Sequence, residues 1–86
     1  MALSVRVKEV VPLDNMILSV LFVNGVRKKY DVKQLFEKFD GMFRPLRNNP
    51  AMFYCVHVDC GGCGIAWNED IDISEYELWE NGIEET

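Results

Sequence analysis

The chain has 86 residues, a hydrophobic fraction of 49% and a net charge of −5. This length allows one domain with one core, which we expect to span residues 1–86, and the composition excludes a disordered chain. The longest apolar run, Met16 to Val23, is far shorter than the roughly 20 residues that cross a membrane, which excludes a membrane protein. Three cysteines without framework spacing, and an N-terminus without a secretory pattern, predict a cytoplasmic protein with reduced thiols.

The charges are divided unevenly along the chain. All nine lysines and arginines lie at or before Arg47, together with five acids, whereas nine acids and no base follow it. Two interpretations stay open. Either the two halves touch and partly neutralise each other, or one of them serves as a nucleic-acid face or an acidic interaction surface.

The N-terminal part of the sequence predicts three strands. Alternation of apolar and charged residues indicates a strand from Ser4 to Val11, and the turn cluster 12–15 follows. The apolar, β-rich segment Met16 to Val23 is typical of a central strand. Asn24-Gly25 predicts a two-residue type I′ turn, because that turn needs positive φ at both positions, and Val26 to Tyr30 returns as the partner strand.

A helix is predicted to begin at Asp31, whose carboxylate can cap it, with Gln34 completing a capping box. Gly41 is expected to end this helix. Between Met42 and Phe53 the apolar spacing indicates short turns laid over the core, since the two prolines of this segment exclude a long helix.

A second hairpin is predicted around Gly61-Gly62, with strands Tyr54 to Asp59 and Gly64 to Trp67. A two-residue loop places three side-chain pairs on one face of the sheet, which agrees with the hydrophobic pattern. These pairs are Cys60 with Cys63, Val58 with Ile65, and Val56 with Trp67.

The last predicted element is a short helix. Ser74 and Glu77 form a second capping box, the helix continues through Trp79, and Gly82 is placed to end it. The fold class is therefore α+β, with the order β-β-β-α-β-β-α: a hairpin-rich antiparallel sheet covered by two helices, with both hairpins in one sheet.

A series of landmarks runs from about Val5 to Gly82 and covers nearly the whole chain. They are Leu18-x-Val-x-Phe22-Val-Asn24-Gly25, Tyr30-Asp31-Val32, Phe43-Arg-Pro-Leu46-Arg, Phe53-x-x-Val56-x-Val58-Asp59, the strand ending at Trp67, Asp72-Ile73 and Leu78-Trp79-Glu80-Asn81-Gly82. In this order they resemble the small bacterial proteins of domain of unknown function family 2442.

The resemblance implies an α+β domain with no established catalytic residues. It also implies a neighbouring gene for a second small protein, an arrangement like that of toxin–antitoxin pairs. Some members are joined to a helix-turn-helix, which this sequence lacks, and direct operator binding is therefore not expected. The turn Trp67-Asn68-Glu69-Asp70 departs from the family's Trp-Pro-x-Gly pattern, and the three cysteines are not family features.

The sharpest local pattern is Cys60-Gly-Gly-Cys63-Gly64, which can supply half of a tetrahedral zinc site. Cys55 and His57 would have to complete it, but strand alternation points them to the opposite face from Cys60 unless a bulge intervenes. A redox role needs a low-pKa thiolate, usually at a helix N-terminus, and this pair flanks a hairpin turn instead. We therefore expect no metal ion, no cofactor and no enzymatic activity.

Other charged groups give weaker indications. Glu69, Asp70 and Asp72 lack the spacing of a calcium loop, and solvation before a helix explains them more simply. The basic residues Arg27, Lys28 and Lys29, with Lys33, Arg44 and Arg47 as further members, have one adjacent aromatic residue, Tyr30. Nucleic-acid surfaces interleave more aromatics and belong to basic chains, so direct nucleic-acid binding is not expected.

The sequence therefore predicts a non-enzymatic protein-interaction domain, as one half of a toxin–antitoxin-like or regulatory pair. The predicted partner is a small protein encoded nearby, for which a basic surface is suited, and a homo-oligomer is a further possibility. The candidate partner-binding residues are Trp79, Glu75, Glu77, Glu80 and Glu84. Trp79 could equally pack into the chain's own core. The alternative function is a metal- or thiol-site protein that uses the Cys55–Cys63 hairpin.

Overall fold

The computed structural model of the protein describes residues 5–85. Within this range the chain forms strands, three α-helices and two 3-10 turns, at Asp14–Met16 and Pro50–Cys55. The strands are β1 (Val7–Pro12), β2 (Ile17–Phe22), β3 (Arg27–Asp31), β4 (His57–Asp59), β5 (Gly64–Ala66), β6 (Asp72–Ser74) and β7 (Ile83–Glu84). The helices are α1 (Lys33–Lys38), α2 (Asp40–Asn48) and α3 (Glu75–Asn81). The α+β class is confirmed. Ser4, the first residue of the first predicted strand, lies outside the described residues.

The strands form two antiparallel sheets. One has the order β1-β2-β3-β7 and the other the order β4-β5-β6, so the two predicted hairpins lie in different sheets and not in one. The sheets meet where the Val7 backbone N–H donates to the Gly62 carbonyl at 2.9 Å. Gly62 has φ +107°, and a Cβ there would lie 2.8 Å from the Val7 carbonyl oxygen. Only glycine fits this junction, for both reasons.

The first hairpin has a three-residue loop, so the predicted two-residue type I′ turn was wrong. Leu21 pairs with Arg27, and the Phe22 N–H donates to the Val26 carbonyl at 2.9 Å, which leaves residues 23–25 as the loop. Gly25 has φ +90°, but Asn24 is not among the residues with positive φ. This is the geometry of a turn followed by a left-handed glycine, the next commonest hairpin after the primed turns.

The helix after β3 starts two residues later than predicted, because Asp31 is the last residue of β3, and it also ends earlier. The Asp31 carboxylate accepts the Lys33 N–H at 2.9 Å, while the Gln34 amide donates to the Asp31 carbonyl rather than closing a capping box. Phe39, with φ −133° and ψ 54°, interrupts the helix after Lys38. Gly41, the predicted stop, therefore lies inside the next helix.

Helix α2 replaces the short turns that were expected after Gly41. It has nine residues and contains Pro45 in its second half. Proline costs this helix one hydrogen bond, the one to the carbonyl of residue 41. The nine-residue helix tolerates that loss because Phe43 and Leu46 are fully buried on its inner face.

The second hairpin has the predicted register, but its loop has four residues and not two, so Cys60 and Cys63 are loop residues and not a strand pair. Its first strand begins at His57 and not at Tyr54, which lies in the preceding 3-10 turn. Val58 pairs with Ile65, and the loop 60–63 closes on the pair Asp59 and Gly64. The Trp67 indole N–H donates to the Phe53 carbonyl at 3.0 Å. Val56 packs against the same core, so residues 56 and 67 both face it, as predicted.

Helix α3 packs against strands of both sheets. The Ser74 hydroxyl caps it by accepting the Glu77 N–H at 3.1 Å, which is the first half of the predicted capping box, and Leu78 is fully buried. The Glu77 carboxylate bonds other residues and does not complete the box. The buried Tyr30 hydroxyl donates to the Glu77 carboxylate at 2.7 Å. Burial, and then this hydrogen bond, raise the pKa of Tyr30, so the phenol stays protonated and keeps donating.

The chain leaves α3 through Gly82 and pairs with β3. Lys29 pairs with Ile83 in this ladder, and Lys28 with Glu84. A Cβ on Gly82 would lie 2.5 Å from the Leu78 carbonyl oxygen and 3.1 Å from the Lys28 Cβ. Gly82 ends the helix as predicted, but its φ of −78° shows that the close approach is what requires glycine there.

Replacing Tyr30 by Phe should lower the free energy of unfolding by about 1–2 kcal/mol, because it removes one hydrogen bond to a carboxylate and little else. Tyr54→Phe is the matched control, since Tyr54 is 55% exposed. Urea unfolding of both variants measures the difference. Equal stability of the two variants would contradict the role given to the Tyr30–Glu77 bond.

Candidate functional site

The loop of the second hairpin brings three metal-ligating groups together. One ligand atom each of Asp59, Cys60 and Cys63 lies within 4.8 Å of the other two. Cys60 is exposed and Cys63 half-buried, and the Cys63 thiol donates to the Asp59 carbonyl at 3.5 Å. The pKa of the Cys60 thiol is raised by its hydrogen bond with Cys63 and then by the negative charge of Asp59. A protonated thiol is a weak nucleophile, which speaks against redox catalysis here.

The other two candidate metal ligands of the sequence analysis, Cys55 and His57, are not part of this group. Cys55 lies in a 3-10 turn and is exposed, and the exposed His57 has its Nδ1 3.5 Å from the Cys55 carbonyl oxygen. Asp59 takes their place, which strand alternation did not predict. The alternation fails because Cys60 has φ +44° and turns the chain at the end of β4.

Trp79 is half-buried in the chain's own structure. Its ring packs edge-on against Phe22 with centroids 4.9 Å apart, and the Lys28 ammonium lies 3.9 Å from the ring centroid. The same ammonium donates to the Trp79 carbonyl at 2.5 Å. The indole thus contributes to internal packing as well as to the surface.

The four candidate glutamates are spread over α3 and β7. Glu75 and Glu77 are half-buried, whereas Glu80 and Glu84 are exposed. Glu77 accepts hydrogen bonds from Tyr30 and from the Asn81 amide, so it stabilises the fold. Glu84 lines a separate, wide depression beside β7.

Ion pairs are frequent among the bases up to Arg47 and rare among the acids that follow it. Five of the predicted basic residues form ion pairs, namely Arg27, Lys29, Lys33, Arg44 and Arg47. Of the nine acids after Arg47, Glu85 is the one that pairs with a base within residues 5–85, with its carboxylate 3.9 Å from Lys29. Within the described residues, the ion pair of Lys29 with Glu85 is therefore the one direct neutralising contact between the two halves of the chain.

An apolar groove opens between the junction of α1 and α2 and the start of α3. Its volume is about 240 Å³, and Leu35, Phe39, Met42, Phe43 and Ile73 provide its apolar walls, with Asp72, Ser74 and Glu77 at the polar side. Phe39 is 51% exposed and Met42 45% exposed. The helix predicted to run from Asp31 to Gly41 included Phe39, because the break at this residue could not be foreseen.

A second depression adjoins the apolar groove through Asp72, which lines both. Its volume is about 400 Å³, and we name it the acidic pocket for its three carboxylates, Asp59, Glu69 and Asp72. His57 and Asn68 also line it. Together the groove and the acidic pocket give one side of the protein an apolar cleft beside a negative surface.

One family of known proteins matches nearly the whole chain. No helix within residues 5–85 combines the length and apolar character needed to cross a membrane. The fold is an α+β domain with antiparallel hairpins, and the family described as "Protein of unknown function (DUF2442)" matches residues 7–84. The chain belongs to this family. No curated protein and no solved structure matches it.

Purified under reducing conditions, the protein should carry far less than one zinc ion per chain, because Cys55 and His57 do not join Cys60 and Cys63. Structural zinc sites are closed by four protein ligands. Elemental analysis after gel filtration measures the content. A value near one zinc per chain would contradict this expectation and would indicate that further donors complete the site.

Proposed function

We propose that this chain is a non-enzymatic protein-interaction domain whose partner-binding surface is the apolar groove and its acidic surroundings. The main support for the proposal is that Phe39 and Met42 are both exposed in one groove whose other apolar walls are buried core residues. Single exposed hydrophobic residues are ordinary, but adjoining ones in a groove with a polar rim are typical of interaction sites.

The electrostatics favour a basic partner. Asp72 and Glu77 stand at the groove, and Asp59 and Glu69 continue the negative surface into the acidic pocket. Within residues 5–85 none of these four carboxylates lies within ion-pair distance of a base. A partner with an apolar side chain flanked by lysine or arginine would bury the groove and relieve the mutual repulsion of the acids.

We infer that the partner is a small protein encoded by the adjoining gene, as one half of a toxin–antitoxin-like or regulatory pair in the cytoplasm. This inference rests on the resemblance to family 2442, which implies a neighbouring gene for a second small protein. Direct nucleic-acid binding is not part of the proposal, since most of the basic patch is already engaged in ion pairs. Self-association through the groove is the competing outcome.

The apolar part of the proposal is tested with Met42→Lys. Lysine at this exposed position removes apolar contact and repels a basic partner, so affinity for the adjoining gene product should fall at least about tenfold, or ~1.4 kcal/mol. Val23→Lys is the matched control, because Val23 is 60% exposed and lies in the β2–β3 loop, outside the groove lining. Isothermal titration calorimetry measures both variants.

Equal affinity of Met42→Lys and Val23→Lys would contradict the groove as the binding surface. Analytical ultracentrifugation of the protein alone identifies the competing outcome. If the groove joins two copies, the wild type sediments as a dimer and Met42→Lys as a monomer.

The electrostatic part is tested by exchanging Glu69, Asp72, Glu75 and Glu80 for their amides together. Glu77 is left in place, because its hydrogen bond to Tyr30 would confound the result. The association rate of the wild type should fall with added salt, and that dependence should be clearly weaker in the fourfold variant. Stopped-flow binding at several salt concentrations measures it. The same slope for both proteins would exclude a role for these acids in binding.

A further inference from the structure

The hairpin loop 60–63 has a conformation that keeps its two thiols on one side. Cys60, Gly61 and Gly62 all have positive φ, at 44°, 63° and 107°. The N–H groups of Gly62 and Cys63 both donate to the Asp59 carbonyl, at 2.9 and 3.1 Å. As a result, the loop curls over the end of β4 and returns Cys63 to the neighbourhood of Cys60.

The loop is also fixed to the first sheet. The Gly62 carbonyl accepts the Val7 N–H at 2.9 Å, and the Arg6 guanidinium donates to the Gly61 carbonyl at 3.3 Å. The Glu75 N–H also donates to the Cys63 carbonyl at 3.0 Å, so six hydrogen bonds hold the four loop residues, counting the bond from the Cys63 thiol to the Asp59 carbonyl. A loop held in this way loses little freedom when it binds a ligand.

We propose that Asp59, Cys60 and Cys63 form a three-donor site for a thiophilic divalent cation of the Zn²⁺ or Cd²⁺ class. The three donor atoms lie within 4.8 Å of one another. Ligand atoms around tetrahedral zinc are about 3.5–3.8 Å apart, given Zn–S of about 2.3 Å and Zn–O of about 2.1 Å. Small side-chain rotations therefore bring the donors to bonding distance. This proposal does not rest on the protein-interaction role, although Asp59 also belongs to the acidic surface proposed for the partner.

The donor set matches a soft cation in both chemistry and charge. Binding releases the two thiol protons to solvent, and two thiolates with one carboxylate then surround a 2+ ion. The acidic pocket shares Asp59 with the site, and its Glu69 and Asp72 raise the local concentration of cations. Three protein donors leave one tetrahedral position for water, so the site differs from the closed four-ligand sites of structural zinc.

Cadmium titration of the full chain, reduced with a phosphine, tests the proposal. Sulfur-to-cadmium charge-transfer absorption should grow until one Cd²⁺ is bound per chain. Cys60→Ser and Cys63→Ser should each lose most of this absorption. Asp59→Asn should weaken Cd²⁺ binding at least about tenfold. Loss of a residue that only supports a metal ligand already costs about that much, and Asp59 is a proposed ligand itself.

Cys55→Ser is the matched control, because Cys55 is an exposed thiol on the same hairpin but outside the three-donor group. It should leave the titration unchanged. If Cys55→Ser reduces the absorption as much as Cys60→Ser does, or if Cys60→Ser and Cys63→Ser bind like the wild type, the proposal is overturned.

Alkylation of the wild type provides a measurement that needs no variant. With Cd²⁺ present, an iodoacetamide reagent should modify Cys55 while Cys60 and Cys63 are protected, as read by peptide mass spectrometry. Equal labelling of all three cysteines with and without Cd²⁺ would overturn the proposal. The same assay with Zn²⁺ shows whether the biologically abundant cation occupies the site.

Discussion

The attachment of α3 to both sheets is the constraint on which the rest of this structure depends. Ser74, at the end of strand β6 in the second sheet, caps its first turn. The Glu77 carboxylate accepts a hydrogen bond from the buried Tyr30 hydroxyl of the first sheet. One turn later the Lys28 ammonium lies over the Trp79 ring and bonds its carbonyl oxygen. A helix of seven residues would be unstable alone, so these contacts decide where it lies.

The position of α3 also determines the candidate binding surface. Glu77 and Ser74 form one side of the apolar groove, and Phe39 and Met42 form the other. If α3 were displaced, the groove would lose a wall and its polar rim. The Tyr30–Glu77 hydrogen bond therefore stabilises the fold and also fixes one side of the surface that we propose for the partner.

The sequence predicted local structure well where one residue type has one physical use. The Ser74 cap and the register of Val58 with Ile65 follow from side-chain chemistry and alternation. The three-residue loop at Gly25 was missed, since Asn-Gly fits more than one hairpin. Strands β6 and β7 have three and two residues, too few for a periodic signal.

The candidate surfaces were harder to predict, because each is assembled from distant segments. The groove joins Phe39 and Met42 to Asp72 and Glu77, some 30 residues further along the chain. Its apolar side exists because the helix breaks at Phe39, and a phenylalanine is not a sequence signal for the end of a helix. Asp59 joined the two cysteines only because Cys60 adopts a left-handed conformation, which is uncommon for that residue type.

Amide hydrogen exchange of the protein, free and bound to the product of the adjoining gene, tests the central claim most directly. The account predicts that binding slows exchange in residues 39–43 and 72–77, the two walls of the groove, and leaves the β2–β3 loop at residues 23–25 unchanged. Slowed exchange confined to residues outside both walls would contradict it.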